Sequence, residues 1–274
     1  MSDFDRNAAT ADYGRPLTRA EAAVVDAGLR AYMLRIYNYM VLGLAITGFA
    51  ALGAYMLSVT GDAASAGRVM QRGSEVAEQI RPGVFLTPIG VMLYASPLKW
   101  VIMLAPLGLI FFFSFRAETM SPTAAQVTFW VFAALIGISL ATVFLVYTHT
   151  SIVRVFFITA ASFGALSLWG YTTQRDISGW GSFLIMGLFG VIIAGLVNLF
   201  LVSSALQFVI SVIGVLVFAG LTAWDTQRLK TEYIYSAMEG EVLERSAIQG
   251  ALSLYLNFIN MFTFLLQLFG QREE

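Results

Sequence analysis

The chain contains no cysteine, one histidine, two lysines and few charges: 12% of its 274 residues are Asp, Glu, Lys or Arg. Without cysteine there is no disulfide, thiolate zinc site, iron–sulfur cluster or cysteine nucleophile. A single histidine, His149, leaves a histidine-based metalloprotease or rhomboid-type hydrolase without its reactive groups. His149 lies close to Ser151 in YTHTS, but no oriented acid or nucleophile turn accompanies the pair, so no enzyme activity is expected. The lysines are Lys99 and Lys230. Neither falls inside the last apolar run, which excludes a retinal Schiff base there. Net charge is −1, so there is no basic signature for nucleic acid. No strand pattern and no glycine-rich phosphate loop are legible.

What is present is apolar: 58% of the residues are hydrophobic. Soluble domains carry about 25% charged residues; this balance points to an integral membrane protein with the lipid bilayer as its first partner. A spanning helix needs ~20 apolar residues. Windows near 34–59, 100–115, 124–147, 152–171, 181–202, 208–224 and 248–269 qualify. The expected fold is all-α, a bundle of seven transmembrane helices. Residues 1–30 are polar and read as a mobile cytosolic tail, with a capping box at Thr18–Glu21. Residues 31–274 form the membrane domain. Its long loop, 60–99, is interrupted by Pro82, Pro88 and Pro97 and reads as interfacial or re-entrant, not as a span.

Arginine and lysine favour the inner side of a membrane. With the N-terminus inside, the inner segments carry Arg6, Arg15, Arg19, Arg30, Arg35, Arg116, Arg175, Arg228, Lys230 and Arg245. The outer ones carry Arg68, Arg72, Arg81, Lys99, Arg154 and Arg272. The expected topology is N-terminus cytosolic and C-terminus outside. Small residues at Ala133, Gly137 and Ala141, and at Ala160 and Gly164, are expected to pack helices closely.

The seventh window carries Gln249, Ser253, Asn257, Asn260 and Gln267. At 100° per residue they fall at about 0°, 40°, 80°, 20° and 0°. That is one narrow polar face, with Phe258, Phe262 and Leu265 turned away. Such a face either forms interhelical hydrogen bonds or lines a pathway; spacing leaves both open. Asn198 is a lone polar group in the fifth window and a further lining candidate. The sixth window closes on LTAWDTQRLK, with Asp225 at its end. An ionisable group at membrane depth is a functional candidate. Arg228, three residues on, or Arg116, at the end of the second window, could pair with it, and Asn257 could face it.

LTAWDTQRLK followed by ALSLYLNFINMF resembles the C-terminal signature of the Bax inhibitor-1 family, also called the transmembrane Bax-inhibitor-motif or YccA-like family. SPLKWVIMLAPLGLIFFFSFR, FLVYTHTSI, GYTTQRDIS and MGLFGVIIAGLVNLFL extend the resemblance over roughly residues 34–270. It implies a seven-helix bundle with the last helix central. It also implies a pH-linked calcium leak, with suppression of cell death in eukaryotes; some bacterial members modulate a membrane-bound AAA protease. In the family's leak mechanism two acids share a latch that an arginine binds. Asp225 matches one acid, Asn257 stands where the second would be, and Arg116 matches the arginine. Asn257 removes the like-charge coupling of a carboxylate pair. A calcium ion prefers six to eight oxygens, carboxylates among them, so Asp225 with amide oxygens makes a weak metal site. The expectation is a cation leak with calcium as the transported ion, no resident cofactor, and a gate at Asp225, Arg116 and Asn257 weakened by the asparagine. Gln249, Ser253, Asn260 and Asn198 line its pathway. The alternative is a non-conducting regulator of a membrane-bound AAA protease or another membrane complex, docked through the N-terminal tail. The resemblance places the chain in a bacterial inner (plasma) membrane.

Overall fold

A computed structural model of the chain describes residues 19–71, 74–116, 119–235 and 239–273. Residues 1–18 of the expected tail, with Thr18 of the capping box, lie outside the described residues. Among the described residues seven long helices follow one another: α1 Arg19–Ser58, α2 Leu98–Arg116, α3 Pro122–Leu140, α4 His149–Thr172, α5 Trp180–Leu201, α6 Ser204–Tyr235 and α7 Gly240–Phe269. Six of them are long and apolar enough to cross a membrane, α3 being carried on by the short helix Val143–Val146. The count reaches seven only if the segments Pro88–Ala95 and Leu98–Phe113, bent by 62°, make one span. Pro97 stands at that bend, where it cannot continue a helical hydrogen-bond ladder.

Three helices run further than the apolar windows suggest. α1 reaches back to Arg19, inside the segment read as tail, and α7 starts at Gly240. α6 continues to Tyr235. Asp225, expected at the end of its helix, is therefore followed by ten further residues of the same helix. Hydropathy marks apolar length, whereas a helix continues wherever backbone bonds and packing sustain it.

The described residues divide into two compact units. One holds α1 up to Met40 together with Val153–Gly270; the other holds Val41–Ile152 and the C-terminal residues from Gln271. In the first unit α6 and α7 are the most extensively paired elements, and α5 packs on α6. Small residues set these distances. A Cβ on Gly250 would stand 2.7 Å from Leu229 and 3.2 Å from Ile36, and one on Gly170 would stand 2.3 Å from the Ala223 carbonyl. The apolar back of α7 is buried: Phe258 meets Phe156 and Phe163 of α4 edge-on, each at 5.6 Å. A hydroxyl chain ties three helices, with Tyr37 sharing a hydrogen bond with Ser167 (2.5 Å) and Ser167 with Thr226 (2.9 Å).

In the second unit the small-residue row of α3 packs as expected. Ala133, Gly137 and Ala141 are buried; Thr47 Oγ1 donates to the Ala133 carbonyl (2.9 Å), and a Cβ on Gly137 would stand 2.4 Å from the Thr47 carbonyl. The row on α4 does not pack: Gly164 is exposed and a Cβ there would touch nothing. α4 instead buries Val155, Thr159, Phe163 and Ser167, whose four-residue spacing puts them on another face.

The absence of strands expected from the sequence is corrected in the long loop. β1 (Val59–Thr60), β5 (Val84–Leu86) and β4 (Gln79–Arg81) form an antiparallel sheet in the order β1-β5-β4, and β2 (Arg68–Gln71) pairs with β3 (Ser74–Ala77). Such short strands leave too few residues for an alternation to be read. Residues 146–148 and the C-terminal segment pair in turn: Thr148 N–H donates to the Gln271 carbonyl (2.9 Å) and Glu273 N–H to that of Val146 (3.0 Å). The Glu273 carboxylate pairs with Arg81, and His149 Nδ1 lies 3.8 Å from it. Ser151 Oγ accepts from Gln271 N–H (2.9 Å). His149 and Ser151 thus both hold the C-terminal strand.

Candidate functional site

Asp225 is 4% exposed on the α6 face that packs against α7. Burying a carboxylate is unfavourable unless its oxygens are paired and hydrogen-bonded, and here both are engaged. Oδ2 accepts from Asn257 Nδ2 at 2.7 Å and from Ser253 Oγ at 2.8 Å. Ser253 and Asn257 are one turn apart on α7, so the two donors reach one oxygen from the same helix face. Oδ1 pairs with Arg228 at 2.8 Å. Arg228 is one turn further along α6, and its side chain is 45% exposed. Its guanidinium also lies 5.2 Å from the Trp224 ring centroid, a cation–π distance. Trp224 is seated because position 181 is glycine: a Cβ there would stand 2.5 Å from the indole. Trp224 Nε1 donates to the Ser178 carbonyl (3.3 Å).

Arg228 and Trp224 form part of the wall of a cavity of about 510 Å³ shared with Asp176, Ser178, Gln227 and Glu232. The buried acid is therefore separated from an open space by its own guanidinium partner. Gln227 fixes the rim: its Oε1 accepts from Ile177 N–H (2.9 Å) and its Nε2 donates to the Arg175 carbonyl (2.8 Å). Asp176 accepts from both the N–H and the hydroxyl of Ser178, which holds its carboxyl below the usual carboxylate range.

Of the three gate residues expected, Asp225 and Asn257 are brought into direct contact. Arg116 is exposed at the end of α2, in the other unit. The arginine on Asp225 is Arg228, because a residue three positions along a helix shares its face.

The polar face of α7 is the less buried side of that helix. Gln249, Ser253 and Asn260 are half-buried and Gln267 is exposed, whereas Phe258, Phe262 and Leu265 are buried. Asn260 donates to the Leu256 carbonyl of its own helix (2.8 Å). Asn198 lies away from Asp225. Its Oδ1 accepts from Ser203 N–H (3.0 Å) and its Nδ2 donates to Gln207 (3.0 Å). Gln207 Nε2 and Ser211 Oγ both donate to Gln267 Oε1, at 2.7 and 2.8 Å. Of this second polar cluster the sequence reading named Asn198 and Gln267; it missed Gln207, which precedes the window begun at Phe208, and Ser211 inside that window. The signal was there: Gln207 and Ser211 are four residues apart, one helical turn.

Comparison with known proteins gives concordant matches. Residues 29–274 match the family described as "Inhibitor of apoptosis-promoting Bax1". A protein of Rickettsia prowazekii is 42% identical over 264 residues, covering 96% of this chain and 99% of its own. A Caulobacter vibrioides protein is 40% identical over the full length of both chains. The inner membrane protein YbhL of Escherichia coli K12 is 40% identical over 248 residues, covering 90% of this chain and 94% of its own. With apolar helices long enough to span a bilayer and a family match over nearly its whole length, this chain is a membrane protein of the Bax inhibitor-1 family.

Proposed function

We propose that the protein is a cation leak, with calcium as the candidate ion, whose track follows the polar face of α7 and whose gate is the Asp225 cluster. The observation that carries this is the buried Asp225 carboxylate of α6, which meets that face and is locked by Ser253, Asn257 and Arg228. A polar face along a membrane helix is unfavourable against lipid, and this one is less buried than the apolar back of the same helix. Release of the Arg228 pair toward the neighbouring cavity would free the carboxylate to meet a cation. The proposed topology has seven spans, with the bent pair counted as one and the last helix central, the N-terminus in the cytosol of a bacterial cell and the C-terminus outside. The burial of α7 supports its central place: 44% of its most apolar stretch is buried, more than in any other candidate span. The inner-membrane assignment is supported by the printed name of the E. coli relative.

The test is calcium and potassium flux into liposomes holding the purified protein, against pH, for wild type, Asp225→Asn and Asn257→Asp. A leak that Asp225→Asn alters supports the reading; vesicles that stay sealed for every variant at every pH refute it.

One observation favours the alternative, a non-conducting regulator of a membrane-bound AAA protease or similar complex. Both oxygens of Asp225 are already occupied, as suits a structural latch. Co-purification of a protease from native membranes with a protein that seals vesicles would decide for it.

A further inference from the structure

Between the two polar clusters the polar face of α7 is interrupted. Phe264 falls at about 60° on the scale that puts Gln249 at 0°, within the sector of the polar residues. It lies between Asn260 and Gln267, and it is half-buried. Its ring is received by the facing helix at one place. A Cβ on Gly214 of α6 would stand 2.6 Å from the Phe264 ring, so any other residue there would displace it. One turn along α6, Phe218 stacks on the same ring, with centroids 6.0 Å apart and planes at 29°.

We propose that Phe264, seated on Gly214 and stacked on Phe218, is an apolar barrier across the track, distinct from the Asp225 latch. This rests on the reading of α7's polar face as a conducting track. On one side of the barrier stand Asp225, Ser253 and Asn257; on the other stand Asn198, Gln207, Ser211 and Gln267. Along α6, Asp225 and Ser211 are about 21 Å apart at 1.5 Å per residue. At that layer Phe264 and Phe218 present aromatic rings to the track, and a hydrophobic constriction of this kind closes a pore by excluding water. Opening the latch alone would leave the track shut; the Phe264 ring must also swing off Gly214.

The chain has no cysteine, so single cysteines can be placed without background. Asn260→Cys and Gln267→Cys, one turn to either side of Phe264, are probed with a membrane-impermeant methanethiosulfonate reagent applied to one side at a time of vesicles with oriented protein. The expected result is modification of the two positions from opposite sides only. Adding Phe264→Ala should make both reachable from both sides and raise ion flux roughly tenfold or more. Phe264→Leu, which keeps much of the volume, should do so less, and Phe218→Ala repeats the test if Phe264→Ala does not fold. Modification of either position from both sides with Phe264 in place overturns the barrier. So does modification of neither, or an unchanged pattern in a folded Phe264→Ala protein. A wild type that leaks at a rate Phe264→Ala does not change sinks the barrier and leaves the leak standing. An altered labelling pattern without flux in any variant upholds the barrier and refutes conduction.

Discussion

Asp225 is held by three different groups, and substitutions separate their roles. Asn257→Leu removes a charge-assisted hydrogen bond and leaves a buried oxygen with one donor fewer. A loss of about 1.5–3 kcal/mol is expected, read as a lower Tm in detergent. Asn257→Asp places two carboxylates at the 2.7 Å separation now spanned by the amide and Asp225. Groups that close share a proton and titrate as a pair, so this variant should show a steeper pH dependence of flux than wild type. A second residue-scale prediction concerns Asp176, whose carboxyl is held low by Ser178. Its folded pKa lies below its unfolded one, so the contribution it makes is present above the unfolded pKa and is lost as pH falls through the folded one. Ser178→Ala should move the Asp176 titration upward toward the ordinary carboxylate value, visible in an NMR pH titration. The sequence made Asp225, Asn257 and Arg228 visible. It did not choose between Arg228 and Arg116, because pairing along a helix and pairing between helices are both open to a sequence.

At the scale of elements, glycines of identical appearance differ by their surroundings. Gly137→Ala would drive a methyl to 2.4 Å from the Thr47 carbonyl, a backbone atom that cannot swing aside, and the nearby Ala50 methyl adds to the crowding. A cost of about 1–3 kcal/mol is expected. Gly164→Ala meets open space and should be neutral or stabilise by up to ~1 kcal/mol through helix propensity. Denaturant or thermal unfolding of both variants in one detergent checks the contrast; equal effects would contradict the packing described. Both glycines sat in small-residue rows that the sequence could not tell apart. The rows differ because one faces a helix and the other does not, which is a property of the neighbour. The polar residues of α7, by contrast, were legible as one face, since 3.6-residue periodicity is carried by the chain itself. A polar stripe on a membrane helix is expected to mark the bundle interior; in the structure the phenylalanine back packs on α4, and the polar side stays more open.

For the whole molecule the decisive quantity is the number of crossings. If the bent pair Pro88–Phe113 makes one span, the chain crosses seven times and its ends emerge on opposite sides. Reporter fusions at residue 1 and residue 274 should then report opposite compartments, the N-terminal one cytosolic; the same compartment for both would reduce the count to six. The C-terminal strand is expected to matter to its unit, because Glu273 engages Arg81 and the backbone at Val146. Deleting residues 271–274 should lower Tm and hasten proteolysis near 146–148, measured against the full chain.

The sequence by itself determined the membrane class, most of the spans, the polar face of α7 and the family, since each is carried by composition, local period or a contiguous motif. Only the tertiary structure decided which arginine clamps Asp225, that α6 runs ten residues beyond it, which glycine row packs and that Phe264 is seated on Gly214. The first two are choices that a sequence leaves open between a local and a longer-range option; the last two depend on groups far apart in the chain meeting at distances of a few ångströms. Close packing fixes such meetings, and no local pattern encodes them.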